Sequence, residues 1–178
     1  MPWMQAAVDK PFGFRPYDKV LSVGGYRVGS DASAIYPGDI VIMSSDGQVD
    51  PAASANPVNI AGVAAAYNAA STANNYFPVF DDPEQKFMVQ DDGDTTNMTE
   101  SSVGNNVALI TTTGDTSTLQ SLQEIDASSA ATTATLAIKV LQQHPIEAQS
   151  FASAAGSPRK WIVKINNHLL SAYQQLGV

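Results

Sequence analysis

His144 and His168 are the chain's two histidines, the only side-chain type whose unperturbed pKa lies near neutrality. To act as a general base, either would need a nucleophile or a carboxylate within hydrogen-bond reach. His144 precedes Pro145 in a loop-forming stretch, and His168 follows Asn166-Asn167 at the end of a β-prone run. No G-x-S-x-G elbow accompanies them, and no H-E-x-x-H or histidine cluster suggests a metal. Both read as structural. Asp91-Asp92-Gly93-Asp94, with Glu100 downstream, offers carboxylates for a cation. A calcium loop needs its glycine sixth, and here it is third, so this stretch reads as a solvated turn. Asp81-Asp82-Pro83-Glu84 reads as a charged hairpin loop protecting a sheet edge. Paired carboxylates for glycoside hydrolysis would need a sugar cleft that the sequence does not place. Gly24, Gly25 and Gly29 lack the Lys-Ser/Thr ending of a phosphate loop. Asn97-Met98-Thr99 matches a glycosylation sequon, which bears only on a secreted chain. The chain has no cysteine, which excludes disulfides, thiolate zinc sites and a Cys nucleophile. No catalytic, cofactor-binding or metal-binding residue is assigned, and the expectation is a protein that is not an enzyme.

The surrounding pattern is that of short strands. Residues 20–23 and 26–28 flank Gly24-Gly25, which reads as a two-residue hairpin turn. Residues 39–43 (DIVIM) form a compact apolar strand, turned by Asp46-Gly47 toward Gln48-Val49. Residues 57–67 give another strand, with Gly62 a candidate bulge or close approach; the Ala-rich run after it reads as strand end and loop. Residues 75–80 and 85–90 read as two strands joined by the acidic turn, with Pro78 placing the first at an edge. Residues 106–111, 118–125, 133–141 and 160–165 complete the set. Period-two alternation is clearest at Leu136, Ile138 and Val140 and at Trp161, Val163 and Ile165. Residues 167–178 could close the chain as a short helix. About ten short strands with turns every 8–12 residues indicate an all-β fold, a compact antiparallel barrel or sandwich with few short helices. Two lobes meeting near residues 70–75 are one way to divide it.

Residues 1–18 differ. Pro2, Pro11 and Pro16 stand among Trp3, Phe12, Phe14 and Tyr17, and prolines at that density exclude a helix interior. The stretch reads as an extended N-terminal arm preceding a β-rich domain over residues 19–178, not as a core element. Aromatics and Arg dominate interface hot spots, so Trp3, Phe12, Phe14, Arg15, Pro16 and Tyr17 are the candidate partner-binding residues. Either they anchor on a neighbouring subunit, with Arg15 pairing with a carboxylate, or they fold back over the chain's own barrel.

The 178 residues are 44% hydrophobic and carry a net charge of −8 with nine Lys and Arg. A chain of this size buries roughly 70% of its unfolded surface, enough for one real core. The acidic balance argues against nucleic acid as a direct partner. No run approaches the roughly 18 apolar residues of a membrane helix, and the N-terminus lacks the basic and apolar regions of a signal peptide. The expectation is a chain made and used without the general secretory route, with no membrane partner.

Several stretches, in order, carry a resemblance: GFRPY at 13–17, VFDDPEQKFMVQDDG at 79–93, VGNNVAL at 103–109, LQEIDASSAATTATLAIKVL at 122–141 and KWIVKINNHLL at 160–170. Together they resemble a family of small virion proteins of tailed bacteriophages, the capsid decoration, cement or head-stabilising proteins. GDIVIMSSDGQV and IAGVAA within residues 38–66 also look like the β-tulip pattern of phage head-stabilising proteins. The resemblance covers most of residues 13–170 and departs after Leu141. It implies a structural virion protein on the outer capsid surface, made in the host cytoplasm, that bridges capsomers of the expanded lattice. The implied partners are the major capsid protein and neighbouring copies of the chain, with trimers suggested by analogy. A tail or head–tail connection part, or a carbohydrate-binding β-sandwich, are the competing readings.

Overall fold

The computed structural model describes residues 9–94, 98–145 and 156–171; Trp3 lies outside them. Twelve strands run in chain order as β1 (Arg15–Pro16), β2 (Gly24–Val28), β3 (Ile40–Met43), β4 (Val49–Pro51), β5 (Ile60–Ala64), β6 (Asn74–Phe80), β7 (Phe87–Gln90), β8 (Asn106–Val107), β9 (Leu109–Ile110), β10 (Glu124–Ile125), β11 (Ile138–Gln143) and β12 (Lys160–Ile165). Two 3-10 turns, Glu100–Ser102 and Ala127–Ser129, lie among the described residues. The fold is all-β and every ladder between strands is antiparallel. One five-stranded sheet has the order β1-β7-β12-β11-β8, another β2-β6-β5-β3-β4, and β9 pairs with β10. Neither large sheet closes on itself, so the barrel form of the expectation is not present.

The two sheets share one core. Ile40, Ile60 and Val63 of the second sheet pack with Phe87, Val89, Ile138, Val140, Trp161 and Val163 of the first. The inward face read at Ile138 and Val140 and at Trp161, Val163 and Ile165 joins this core, with Lys139 half-buried between the first two. The expected alternation fails at Leu136, which precedes β11 and is half-buried beside buried Ala137, and at Ile162, which is itself buried. Sheet two is buried on its other face as well. There Val28, Val41, Ala61, Phe77 and Val79 meet Ala32 and Ile35 from the β2–β3 connection. That connection is pinned by Ile35 and Asn68, each donating its N–H to the other's carbonyl at 2.9 Å.

Strand β5 is buried along its whole length, IAGVA, and serves both faces through a bulge. The register slips between Val41 and Ile42 opposite it, so Ile60 and Val63 face one core while Ala61 and Ala64 face the other. Gly62 makes this possible. Its φ is +149°, and a Cβ there would sit 2.1 Å from the Phe80 carbonyl oxygen, a close approach only glycine allows.

Several expectations are corrected. Gly24 and Gly25 are not a turn but lie within β2, opposite Val79 and Pro78. The Tyr76 ring covers Gly25, where a Cβ would lie 2.2 Å from it, so the missing side chain admits a cross-strand aromatic. Strands β6 and β7 are not a hairpin: they belong to different sheets, and residues 81–86 carry the chain between them. Pro78 lies inside its sheet, since β6 runs between β2 and β5. Its carbonyl accepts the Ala65 N–H at 3.0 Å, just past the end of β5. A strand residue's two backbone polar groups point the same way, so the absent N–H falls where the ladder has already ended. The sequence divides between sheets at residues 81–86, not near 70–75. Of the tail, residues 167–171 form turns and a bridge from His168 to Ile60; residues 172–178 lie outside the described set.

The arm expectation fails for residues 11–17. Phe14 is fully buried, edge-on to Phe87 at 6.5 Å between ring centroids, and its N–H donates to the Gly38 carbonyl at 2.9 Å. Arg15 and Pro16 form the edge strand β1 on β7. Proline is tolerated there because an edge strand has N–H positions with no ladder partner. Two predictions follow from this packing. Phe14→Ala should cost about 3–5 kcal/mol of unfolding free energy, measured by denaturant unfolding of the isolated chain. Gly62→Ala should cost at least about 1–3 kcal/mol in the same measurement, although it adds only a methyl group.

Candidate functional site

The residues picked out at the N-terminus line a groove but do not all face outward. Phe14, together with Arg15 and Pro16 of β1, borders an open groove of about 340 Å³ with Pro37, Phe80 and Leu119. Arg15 is exposed. Its guanidinium lies 5.5 Å from the centre of the half-buried Phe12 ring, and its Nη2 donates to Gln120 Oε1 at 3.2 Å. Arg15 thus bonds an amide and an aromatic face of its own chain, not the expected carboxylate. Tyr17 is half-buried, its ring edge-on to His144 at 6.0 Å and its N–H bonded to the Lys86 carbonyl at 2.8 Å. The anchors expected for a neighbour are thus mostly engaged within the domain, and Phe14 entirely so.

A surface that the sequence reading passed over lies nearby in the chain. Val20, Leu21 and Val23 stand 42–49% exposed, immediately before β2, an outer strand of sheet two. Tyr76, 74% exposed, lies with its ring over Gly25 of that strand. Large apolar side chains left exposed around an outer strand are a common mark of a docking surface. The signal is present as VLSV at 20–23, but the hairpin expected around Gly24-Gly25 would pair that run with residues 26–28.

The histidines are not brought together as a reacting pair. His144 meets the Tyr17 ring edge-on, whereas His168 is buried and its Nδ1 accepts the Leu170 N–H at 3.1 Å. Burial lowers the His168 pKa, against the opposing pull of Asp81 and Asp82, so the ring is held neutral. The acidic turn divides in two. Asp91 is not solvated: it is 2% exposed, accepting the Arg159 N–H on Oδ1 at 2.7 Å and the Trp161 indole N–H on Oδ2 at 2.8 Å. Burial raises its pKa, and these hydrogen bonds bring it partly back. Asp92, Asp94 and Asp126 each present a carboxylate oxygen within 4.8 Å of the others. An all-oxygen set of this kind suits a hard cation such as calcium. Asp92 also accepts the Ala127 N–H at 3.1 Å, a structural use that needs no ion.

Next to this cluster, Gln90 ties three elements together. Its Nε2 donates to Asp9 Oδ1 and to Glu124 Oε1, each at 2.9 Å, and its Oε1 accepts the Lys10 N–H at 3.4 Å. Half-buried Glu124 has its pKa pushed up to about 7, first by burial and then by repulsion from Asp9, Asp92 and Asp91, with the Gln90 bond acting the other way.

A second cleft, of about 630 Å³, opens between the β2–β3 connection and residues 111–114. Tyr36 forms its wall, tilted against Tyr67 at 5.3 Å between centroids and lying on Gly114, where a Cβ would sit 2.3 Å from the ring. The Tyr36 N–H donates to Asp39 Oδ2 at 2.8 Å.

The Glu124 environment gives a prediction with a definite sign. Its folded-state pKa lies above its unfolded value, so its contribution is fully present below the unfolded pKa. It is lost as pH rises through about 7. Thermal unfolding of Glu124→Gln, compared with the unaltered chain at pH 5 and pH 8.5, should therefore show a larger gain in midpoint at pH 8.5. The amide oxygen still accepts from Gln90, so an equal effect at both pH values would show that the charge is not the cause.

Comparison with family models, with curated proteins and with solved structures finds no match for the chain.

Proposed function

We propose that the chain is a capsid decoration protein of a tailed bacteriophage, binding the outer surface of the expanded lattice and bridging capsomers. The observation that carries the reading is the exposure of the apolar side chains Val20, Leu21 and Val23 just before β2 and of Tyr76 over Gly25 of that strand. Burying one such side chain fully is worth about 1.5–3 kcal/mol, so a partner that covers several gains substantial affinity. The nature of the partner comes from the ordered resemblance over residues 13–170, which points to the major capsid protein and neighbouring copies of the chain. An acidic, cysteine-free β domain that presents such side chains suits attachment to a large assembly.

Cementing is then a linkage effect. A protein that binds the assembled lattice better than its separated parts stabilises the lattice by mass action. Each contact can be modest when one copy touches two capsomers, because the second contact is effectively intramolecular. The N-terminal groove contributes less than the sequence suggested, since Phe14 is committed to the core and Arg15 to Phe12 and Gln120.

The test is made on particles. Capsids lacking the protein should assemble but rupture at lower temperature than complete ones, and purified protein should restore their resistance. Leu21→Ser combined with Tyr76→Ser should abolish restoration while the isolated variant melts close to the unaltered chain. Depleted capsids as robust as complete ones would transfer the protein to a tail or connector role.

A further inference from the structure

Residues 167–169 are held to the start of β5 by a parallel bridge between His168 and Ile60. Ile60 donates its N–H to the Asn167 carbonyl at 3.3 Å and accepts the Leu169 N–H at 2.7 Å. The His168 ring is buried at this bridge, 5% exposed, and its Nδ1 accepts the Leu170 N–H at 3.1 Å. That bond requires the neutral tautomer, with its hydrogen on Nε2. Nε2 is sealed from solvent and has no hydrogen-bond partner among the described residues.

A second proton has no place in this arrangement. It would sit on Nδ1 and point at the Leu170 N–H, turning an acceptor into a donor that faces a donor. The bond is lost, and a buried cation remains with neither nitrogen bonded, which costs far more than a neutral ring. The charged groups that act on the ring are Asp81 and Asp82, just past β6. Asp81 already accepts the Tyr26 hydroxyl at 2.9 Å, and Lys164 of β12 is directed to Glu84 at 3.4 Å. Residues 57–61 and 134–137, which flank the bridge, carry no ionisable side chain. Burial outweighs the pull of the two aspartates, so the ring's pKa lies below its ordinary 6.5.

The loss stays local. Asn166 donates to the Ala134 and Leu136 carbonyls and Asn167 to the Thr135 carbonyl, at 2.9–3.0 Å, so the end of β12 is anchored without His168. Beyond the ring, Leu169 and Leu170 are half exposed and bury little that would hold residues 168–171 in place.

We propose that His168 is an acid-released latch: protonation of its ring frees residues 168–171 from Ile60 while the rest of the domain stays folded. The latch is closed above pH 6.5, the ring's ordinary pKa, and loosens as pH falls below it, because the opened segment binds a proton more readily than the closed one. The device does not depend on the decoration reading.

The experiment follows amide hydrogen exchange of the full chain by NMR from pH 7.5 to pH 4.5, corrected for intrinsic exchange. The Leu169 amide reports the bridge and the Leu170 amide reports the ring contact. Their opening equilibria should rise about tenfold per unit of pH between the ring's unfolded and folded pKa values, while the Val163 amide of β12 stays protected. The His168 ring signals should titrate below 6.5 in step with the opening at Leu169. His168→Asn sets an oxygen acceptor where Nδ1 stands and cannot take up the proton, so it should abolish the pH dependence. His144→Asn should leave it unchanged. Every carboxylate is retained in both variants, so titration of aspartates cannot produce that difference. If His168→Asn does not fold, the match between ring titration and Leu169 opening in the unaltered chain decides the matter. Protection of Leu169 and Leu170 that holds down to pH 4.5 would overturn the proposal, as would a pH dependence that persists in His168→Asn. A ring that titrates with no change at Leu169, or loss of Val163 protection together with Leu169, would also overturn it.

Discussion

The bond from the Trp161 indole N–H to Asp91 fixes more of this molecule than any other single contact. Among the described residues Trp161 is the largest fully buried side chain, and it sits on β12, the middle strand of the first sheet. Its ring supplies a large share of the shared core, and a buried indole N–H needs an acceptor. Asp91, directly after β7, supplies one and uses its second oxygen on the Arg159 N–H just before β12. One carboxylate thereby sets the register of two neighbouring strands at their common end. The arrangement buries an acid, which is costly unless hydrogen bonds compensate. It also brings negative charge close to Glu124, whose raised pKa is partly due to Asp91.

That end of the molecule and the polar cleft show the same physics with different outcomes. Around Asp91 the buried carboxylate is met by an indole and a backbone N–H, and the result is structural. In the cleft, Asp39 is met on one oxygen by the Tyr36 N–H, while Asp31 and Asp50 border open space. There too the domain supplies donors, the Ser121 hydroxyl to Asp39 and the Ser44 hydroxyl to Asp50; what differs is that the donors on Asp91 tie two strands together.

Much of the fold was legible where a local rule and tertiary packing agree. DIVIM, the Asp46-Gly47 turn, the Gly62 bulge and the inward-facing Trp161, Val163 and Ile165 all appear where the pattern placed them. Errors arose where a local signal had a second physical solution. Gly24-Gly25 satisfies a tight turn, but it also makes room for Tyr76 across a ladder. Prolines around Phe14 exclude a helix, yet a two-residue edge strand accepts them. Asp91-Asp92-Gly93-Asp94 looks like one solvated turn because charge is counted by residue, whereas burial differs between neighbours. The cleft was not readable at all. Asp31, Asp39, Asp50 and Gln123 come from separate stretches, and nothing local marks them as meeting.

The chain's path between the sheets has a bearing on how it comes together during synthesis. Every strand of the second sheet lies within residues 24–80, whereas the first sheet draws on strands from residue 15 to residue 165, and its middle strand, β12, is the last of the described strands. As the chain leaves the ribosome, the earlier sheet can pair its strands while β7 still lacks the neighbour that covers its inner edge. Phe87 and Val89 then wait in solvent, and the shared core cannot close until Trp161 has emerged. A ribosome that stalls before that point holds a half-formed domain with an open strand edge, so the final segment determines whether the nascent chain becomes a folded product or an aggregation-prone one.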